Sequence, residues 1–417
     1  MRSASIEIIA RVEAGAFLDD VINSFFSHRD IPDSMKGLVY TMASGAVRHK
    51  GYFDWVLARL VKREMKKDVR YLFWISLYQI AHMKKAHYHV VMEAVEYGKR
   101  HFSPGTAPFV NAVLRRFIRE RDLLVLPENP VTALSIEKSF PRWLVSRWVA
   151  RFGHEETDRL LTLLNEPPDF TLRIDLARIT KQEVVALLEA QGVRVREGKY
   201  LESALHVDKL GPVLKDPLFL DGLISVQDEA SQLVAQALPP SRGPVLDACA
   251  GVGTKAGQIR GLFRNTLVIA MDNDMGRISK MKEKSGLIVQ GDSLQTPYRA
   301  QVFDTILLDA PCSSLGIVRK HPEIKWRRDE REVIAFGNYQ LDLMRSLWDN
   351  LRSGGAMVYS VCSFEPEETV GVIERFGREK EFLLENPLPF CSGTEYFLSL
   401  PHVSGMDGFF IAKLRKP

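Results

Sequence analysis

Two cysteines follow apolar segments that have the composition of buried strands. Cys312 comes after FDTILLDAP, and Cys362 comes after AMVYSV. A cysteine thiolate can add to an electron-poor carbon and form a covalent intermediate, which divides one difficult reaction into easier steps. We therefore expect both residues at a reactive site. For Cys391 we expect the ordinary role of a buried structural cysteine.

A glycine-rich segment, CAGVGTKAG, follows the apolar stretch PVLDA and opens a predicted helix. Glycines allow a ligand to approach the backbone, and the free amides of a helix start attract an anionic group. The spacing differs from the dinucleotide pattern G-x-G-x-x-G, so a tight turn without a ligand is the alternative interpretation.

Acidic residues end the next two predicted strands, TLVIAMD and LIVQGD. A carboxylate at Asp272 can accept hydrogen bonds from both hydroxyls of a ribose, and Asp292 is placed to meet an adenine. Either residue alone could be a helix cap. Their order after successive strands predicts a nucleoside cofactor.

Strands alternate with helices from about residue 222, which predicts an α/β fold with a doubly wound, Rossmann-like, mostly parallel sheet. Ligands of such sheets bind beyond the carboxyl ends of the strands. Five polar residues are expected at this rim: Asp247, Asp272, Asp292, Asp309 and Cys362.

The preceding sequence predicts two further domains. Residues 1–122 have apolar positions at helical spacing, and a boundary near 125 is indicated by the proline-containing connection LLVLPENPVTALSIEKSFP. Beyond it we expect helices near 143–152 and 155–165, then the strand FTLRID, the helix KQEVVALLEAQG and strands near VRVREG and ALHVD, which form a small α+β module. The predicted domains are 1–125, 126–221 and 222–417.

Composition narrows the class of protein. The 417 residues are 46% hydrophobic and 26% charged, as in soluble globular proteins, and four cysteines show no zinc-site spacing and no secreted disulfide framework. No apolar run approaches the ~18 residues that span a bilayer. We expect a cytoplasmic protein without metal or membrane, and a monomer.

Positive charge is concentrated in the helical part of the chain, residues 1–122. Residues 1–122 hold 20 Lys and Arg against 13 Asp and Glu, with basic clusters at 62–67 and 115–119. This excess favours a polyanionic partner such as nucleic acid, and solvated helix faces are the alternative explanation.

Taken together, these motifs resemble the NOL1/NOP2/Sun-type RNA cytosine-5 methyltransferases, and among them the bacterial RsmB, Sun or Fmu type that acts on small-subunit ribosomal RNA. The resemblance spans nearly the whole chain. It rests on FVNAVLRR, FPRWLVSRW, SVQDEASQLV, LDACAGVGTK, DAPCSSLGIVRKHPEIKW, VYSVCSFEPEET and DGFFIAKLRK.

The resemblance implies a NusB-like RNA-binding domain and an S-adenosylmethionine-dependent methyltransferase domain. It identifies Cys362 as the nucleophile and Cys312 as the residue that assists product release; Asp309 is a candidate partner for the pyrimidine ring. The cofactor-binding residues that it implies are Cys249, Ala250, Gly251, Val252, Gly253, Thr254, Lys255, Asp272, Asp292 and Asp309.

The chain departs from the family pattern at two places. Gly251-Val252-Gly253-Thr254-Lys255 replaces the usual Ala-Pro-Gly-Gly-Lys in the cofactor loop, and Val361 and Thr369 replace a common Thr and Asn. Because the order of Asp, Cys and Lys is intact, we expect activity to be retained.

Other functions remain as alternatives. A DNA cytosine-5 methyltransferase would take its nucleophile from Pro311-Cys312, and a non-catalytic RNA-binding protein would carry the methyltransferase fold as a relict. An RNA other than small-subunit ribosomal RNA is a third alternative. The separate motif around Cys362 and the retained acidic residues favour the RNA enzyme.

Overall fold

The computed structural model describes residues 1–62, 64–83, 85–281, 286–391 and 394–417. The chain forms two compact units, one of residues 1–166 with 318–329 and one of residues 167–317 with 330–417. Arg63 of the predicted basic cluster 62–67 lies outside the described residues.

The first unit begins as a bundle of helices, which confirms the helical prediction for residues 1–122. On one helix, Val110, Leu114 and Phe117 recur at helical spacing and are buried. The helices are α1 (Arg2–Glu13), α2 (Leu18–His28), α3 (Asp33–Leu60), α4 (Lys67–His82), α5 (His87–His101), α6 (Thr106–Glu120), α7 (Pro130–Glu137), α8 (Arg142–Phe152) and α9 (His154–Asn165).

Helix α7 lies within the segment that the sequence predicted as a connection. The Asn129 side chain accepts a hydrogen bond from the Thr132 amide at 3.0 Å, and Pro130 occupies the first turn, where its missing N–H costs nothing. The proline therefore starts a helix at this point. The segment is more ordered than we predicted.

The second unit begins with the expected α+β module, which contains an antiparallel four-stranded sheet in the order β2-β3-β1-β4. A capping box between Thr180 and Glu183 starts its longest helix. The elements are β1 (Phe170–Ile174), α10 (Lys181–Ala190), β2 (Val195–Glu197), β3 (Ala204–Val207), α11 (Leu210–Val213), α12 (Pro217–Leu220) and β4 (Ile224–Val226).

The remaining elements build the predicted α/β domain around a sheet in the order β10-β12-β9-β8-β5-β6-β7, with β11 paired to β12. In chain order the elements are α13 (Glu229–Gln236), β5 (Val245–Asp247), α14 (Thr254–Leu262), β6 (Val268–Asp272), α15 (Met275–Ile278), β7 (Leu287–Gln290), β8 (Phe303–Asp309), α16 (Ile324–Arg327), α17 (Glu330–Trp348), β9 (Leu351–Val361), α18 (Val370–Gly377), β10 (Leu383–Glu385), β11 (Tyr396–Ser399), α19 (Pro401–Ser404) and β12 (Phe409–Arg415). Of these, α16 is not part of the α/β domain.

Five strands of this sheet, β5 to β9, are the predicted ones, and they are parallel to one another. Strands β10, β11 and β12 were not predicted, and they pair antiparallel. Strand β12 runs beside β9 with Phe410 opposite Val361, so it covers the edge of the strand that leads to Cys362.

The segment 318–329, which contains α16, belongs to the first unit. The Trp326 indole donates to the Val47 carbonyl at 2.9 Å, and the buried Lys325 lies 3.6 Å from the centre of the Phe140 ring and donates to Asn165. The second half of the highly specific motif 309–326 therefore packs against the helical bundle.

Among the described residues, no helix offers an apolar stretch of the length that a membrane span requires. No group of three or more His, Cys, Asp or Glu side chains among them is arranged to hold a metal ion.

Candidate active site

The two predicted reactive cysteines meet at the carboxyl ends of adjacent parallel strands. Strand β8 ends at Asp309, which lies opposite Ser360 of β9. Cys312 follows three residues after β8 and Cys362 one residue after β9, and their sulfur atoms are 3.2 Å apart. Cys312 is buried and Cys362 is partly exposed. The structure thus brings together two thiols of which the more accessible one is Cys362.

A buried carboxylate, Glu368, links the two cysteine-bearing loops. It accepts hydrogen bonds from the Ser313 amide at 2.6 Å, the Ser313 hydroxyl at 2.5 Å, the Ser363 hydroxyl at 2.6 Å and the Gln340 amide at 3.2 Å. All four residues are fully buried. Because Ser313 follows Cys312 and Ser363 follows Cys362, this carboxylate fixes the spacing of the thiols.

The chain between the cysteines is tightly constrained. Ser314 has φ of 61°, a left-handed conformation that is uncommon for a residue with a side chain, and its hydroxyl lies 3.6 Å from the Cys362 sulfur. A Cβ atom on Gly316 would lie 2.0 Å from the Gly408 carbonyl oxygen and 2.9 Å from that of Cys362. Only glycine fits at position 316.

The environment of Cys312 favours its protonated form. The hydrogen bond with Cys362 is the largest cause that raises the pKa of Cys312 well above its ordinary value, followed by burial and by the charges of Cys362 and Glu368. In the sulfur–sulfur contact either thiol can be the donor.

A lysine and a carboxylate lie beside the thiols. The Lys255 ammonium donates to Asp309 at 2.5 Å, and the other Asp309 oxygen accepts from Ser360 at 2.7 Å. Burial alone would lower the pKa of Lys255, but the attraction and hydrogen bond of Asp309, with smaller contributions from Asp247 and Cys362, outweigh it and raise the pKa. Lys255 is therefore a fixed positive charge close to Cys362.

Asp247, the last residue of β5, is fully buried, and neither of its carboxylate oxygens completes a hydrogen bond within the described residues. Burial, reinforced by Asp309, raises the pKa of Asp247 to about 7, although Lys255 and the nearby Ala256 amide favour the ionised form. A buried carboxyl group without a partner is costly. Such a group is suited to a cationic or hydrogen-bond-donating ligand.

The glycine turn has the backbone shape that a close ligand requires. Gly251 and Gly253 have φ of 59° and 81°, and α14 begins directly after them at Thr254. Asp272 is buried; one of its oxygens accepts from the Gly251 amide at 2.8 Å and the other from the Asp274 amide at 2.9 Å. This carboxylate holds the turn against the end of β6.

Three other predicted residues lie at or near this rim in different settings. Asp292 is exposed two residues past β7 and caps the Leu294 amide at 2.9 Å. Burial and then the charge of Asp247 raise the pKa of the Cys249 thiol, which keeps it protonated. Val252 is 48% exposed beside the turn.

Outside this rim, Cys391 packs against an apolar core in the same unit.

The sequence reasoning missed Glu368, Gln340 and the special environment of Asp247. The available signals were the acidic run in FEPEET directly after Cys362 and a glutamine on the apolar face of α17. These polar groups differ from surface residues because they are buried, and the sequence alone does not show that burial.

Three family profiles match the chain. They are the NusB family over residues 1–119, the ferredoxin-like domain of RsmF/B-like methyltransferases over residues 140–214, and the 16S rRNA methyltransferase RsmB/F over residues 235–415. These matches agree with the helical, α+β and α/β parts of the fold.

Two relatives match over the full length of the chain. The chain is 31% identical to a probable ribosomal RNA small subunit methyltransferase B of Bacillus subtilis (strain 168), covering 100% of this chain and 98% of the relative. It is 30% identical to the ribosomal RNA small subunit methyltransferase B of Escherichia coli O6:K15:H31, with the same coverage.

Among solved structures, the fold resembles that of PH0851, with a TM-score of 0.83 at 23% identity and coverage of 99% and 98%. It also resembles NSun6 from Pyrococcus horikoshii with SFG, with a TM-score of 0.59 at 22% identity, covering 67% of this chain and 99% of that one. The chain is an S-adenosylmethionine-dependent methyltransferase that belongs to the ribosomal RNA small subunit methyltransferase B family.

Proposed function

We propose that this enzyme methylates carbon 5 of a specific cytosine in small-subunit ribosomal RNA through a covalent adduct between Cys362 and carbon 6. The observation that carries this proposal is the pair of thiols 3.2 Å apart at the ends of β8 and β9. The names of the relatives support ribosomal RNA as the substrate.

The residues at the rim fit S-adenosylmethionine. The left-handed Gly251 and Gly253 leave room for a ligand against the backbone. Each Asp272 oxygen already accepts from one backbone amide and has a second lone pair that can accept from a ribose hydroxyl. The unpartnered Asp247 carboxyl suits the cationic part of this cofactor. We assign residues 249–255 with Asp272, Asp292 and Asp309 to the cofactor site. When bound there, the cofactor supplies the methyl group.

Cys362 performs the first step of the proposed reaction. Its thiolate forms a bond with carbon 6, and the electron pair of the 5,6 double bond moves to carbon 5 and into the ring, which makes carbon 5 nucleophilic. The nearby Lys255 ammonium and the thiol proton of Cys312 both stabilise negative charge on this sulfur.

Asp309 is our candidate for contact with the pyrimidine ring. Attack leaves negative charge at N3, and a proton taken up there needs an acceptor. An oxygen of the Asp309 carboxyl group, which also binds Lys255, can accept a hydrogen bond from the ring.

Cys312 is assigned to product release. After methyl transfer a base removes the proton from carbon 5, the electrons of that C–H bond restore the 5,6 double bond, and the bond from carbon 6 to Cys362 breaks to return a thiolate. Cys312 either acts as this base, for which it must first lose its own proton, or positions the base.

The helical domain is proposed to bind the surrounding RNA backbone. Its excess of seven basic residues over acidic ones suits phosphate contacts, while the target base leaves its stack to reach the thiols. We keep the division into domains 1–125, 126–221 and 222–417, with a monomer as the working form. A cytoplasmic location follows from this substrate.

A methyl-transfer assay with ribosomal RNA tests the proposal. We expect labelled methyl groups to enter small-subunit ribosomal RNA, to be lost on ribonuclease treatment, and to map by bisulfite sequencing to one cytosine that is unmodified in a deletion strain. Methylation of another position of the base would contradict carbon 5 as the target. Cofactor binding without transfer to any RNA would favour a relict fold.

A further inference from the structure

An open cavity of about 410 Å³ lies between the α+β module and helix α14 in the second unit. It does not include the cofactor residues 249–255, because its lining on α14 begins at Gly257 and continues through Arg260 to Arg264 just beyond the helix. None of its lining residues takes part in the proposed chemistry.

The cavity is strongly cationic. Four arginines line it, namely Arg173, Arg178, Arg260 and Arg264, while Asp175 is the single acidic residue among its described lining. Such an excess of like charge in a concave site raises the local concentration of anions.

Two of these guanidinium groups are held by backbone carbonyls, which fix their position but do not neutralise their charge. Arg264 donates to the Ala177 carbonyl at 2.8 Å, and Arg178 donates to the Asp221 carbonyl at 3.3 Å. The contact of Arg178 with Asp175, at 4.0 Å, is long. The positive charges are therefore preorganised and largely available to a ligand.

Two buried polar atoms at the cavity lack a hydrogen-bond partner within the described residues. They are Nε of Arg173 and Oγ of Ser225, and these residues lie directly opposite each other on β1 and β4. Both groups can donate. A buried donor without an acceptor costs roughly 1–3 kcal/mol, so these two groups add to the excess of donors over acceptors around the cavity.

The part of the cavity wall that helix α14 contributes has glycine at two positions. Gly257 and Gly261, four residues apart on α14, line it, and a Cβ atom at position 261 would lie 3.9 Å from the Asp175 carboxylate. The absence of side chains at these two positions leaves space beside the arginines for a group as large as a phosphate.

We propose that this arginine-lined cavity binds a backbone phosphate of the substrate RNA at a distance from the target base. The inference rests on the proposed function, because that function supplies the RNA. A phosphodiester only accepts hydrogen bonds and carries one negative charge, which matches a lining with four arginines and one acidic residue. Free inorganic phosphate shares this chemistry and is distinguished by the experiment.

The test compares RNA affinity over a range of salt concentrations for the full-length wild type, Arg264→Gln, Arg173→Gln and the double variant. Each single variant should weaken RNA binding about 3- to 10-fold, and the double variant should lower the slope of log affinity against log salt by about one. Affinity for S-adenosylmethionine should not change. Arg264 is exposed, so its variant keeps the test valid if Arg173→Gln unfolds.

Arg299→Gln is the matched control, since Arg299 is exposed in the same unit and does not line the cavity. The proposal would be overturned if the double variant had the same RNA affinity and the same salt slope as the wild type and this control. It would also be overturned if inorganic phosphate stabilised the wild type but not the double variant against unfolding while both proteins had the same RNA affinity. Both outcomes leave the proposed function intact, whereas a wild type that binds RNA without methylating it contradicts that function and leaves the phosphate site standing.

Discussion

Removing the Glu368 carboxylate should separate the two cysteine loops. In Glu368→Ala the Ser313 and Ser363 hydroxyls, 3.3 Å apart, can bond to each other, and Gln340 keeps its bond to the Pro311 carbonyl at 2.9 Å. The Ser313 amide loses its acceptor, which costs roughly 1–3 kcal/mol, and the cavity left by the side chain adds about 1–2 kcal/mol. We expect a total loss of about 3 kcal/mol in the free energy of unfolding.

Activity should fall further than stability alone explains. Cys312 and Cys362 adjoin the two serines, so a shift of about 1 Å in their spacing should lower kcat about 100-fold, with little change in cofactor affinity. Glu368→Gln keeps one acceptor oxygen for the Ser313 amide and can donate to the serine oxygens, so it should cost only about 1 kcal/mol and restore most of the activity.

Urea unfolding and single-turnover methyl transfer measure these two effects. Glu374→Ala is the control, because it makes the same chemical change at an exposed position on α18 and should stay within about 0.5 kcal/mol of wild type. If Glu368→Ala matched this control in stability and in kcat, Glu368 would not set the spacing of the thiols.

Four further outcomes follow from the site. Asp272→Ala should weaken binding of S-adenosylmethionine by about 1–3 kcal/mol in calorimetry while the protein stays folded; unchanged affinity would count against its contact with the ribose. Because burial raises the pKa of Asp247 to about 7, the native state holds a proton that the unfolded state releases from about pH 4 upward, so wild-type stability should decline between about pH 4 and 7. Asp247→Asn should remove that decline and gain up to about 4 kcal/mol relative to wild type at pH 8 in urea unfolding, and an equal difference at pH 5 and pH 8 would refute the assignment. Lys66→Gln with Lys67→Gln should reduce the salt slope of RNA binding by one to two, and an unaltered slope would remove this exposed cluster from the RNA contacts. Gly316→Ala should lower both stability and kcat because its Cβ atom would overlap the Gly408 carbonyl, and wild-type values would show that the loop can move aside.

A shortened chain is a weaker test of RNA binding than such point variants. The predicted boundary near residue 125 suggests a shortened protein that begins at residue 126. Trp326 packs against the core of the helical bundle, and Lys325 lies on Phe140 in the same unit. Removing residues 1–125 would strip the partners of Trp326, so lost RNA binding could reflect misfolding.

The sequence predicted the parallel strands and both cysteines because strand ends in this kind of sheet are marked by a change from apolar to polar residues. The sulfur–sulfur distance and the bonds of Glu368 depend on which loops meet across 50 or more residues of chain, which periodicity does not encode. Strand β12 was missed because its segment was read only as a family motif. Helix α7 was missed because prolines were taken as breaks when one of them starts a helix.

The covalent intermediate is the central claim, and denaturing gel electrophoresis with labelled RNA tests it most directly. Cys312→Ala should accumulate enzyme attached to methylated RNA, because attack can proceed while release is slowed. Cys362→Ala should form no adduct and no product, and Cys391→Ala should behave as wild type. An adduct in Cys362→Ala but not in Cys312→Ala would reverse the two roles, and undiminished turnover in Cys362→Ala would contradict the covalent mechanism altogether.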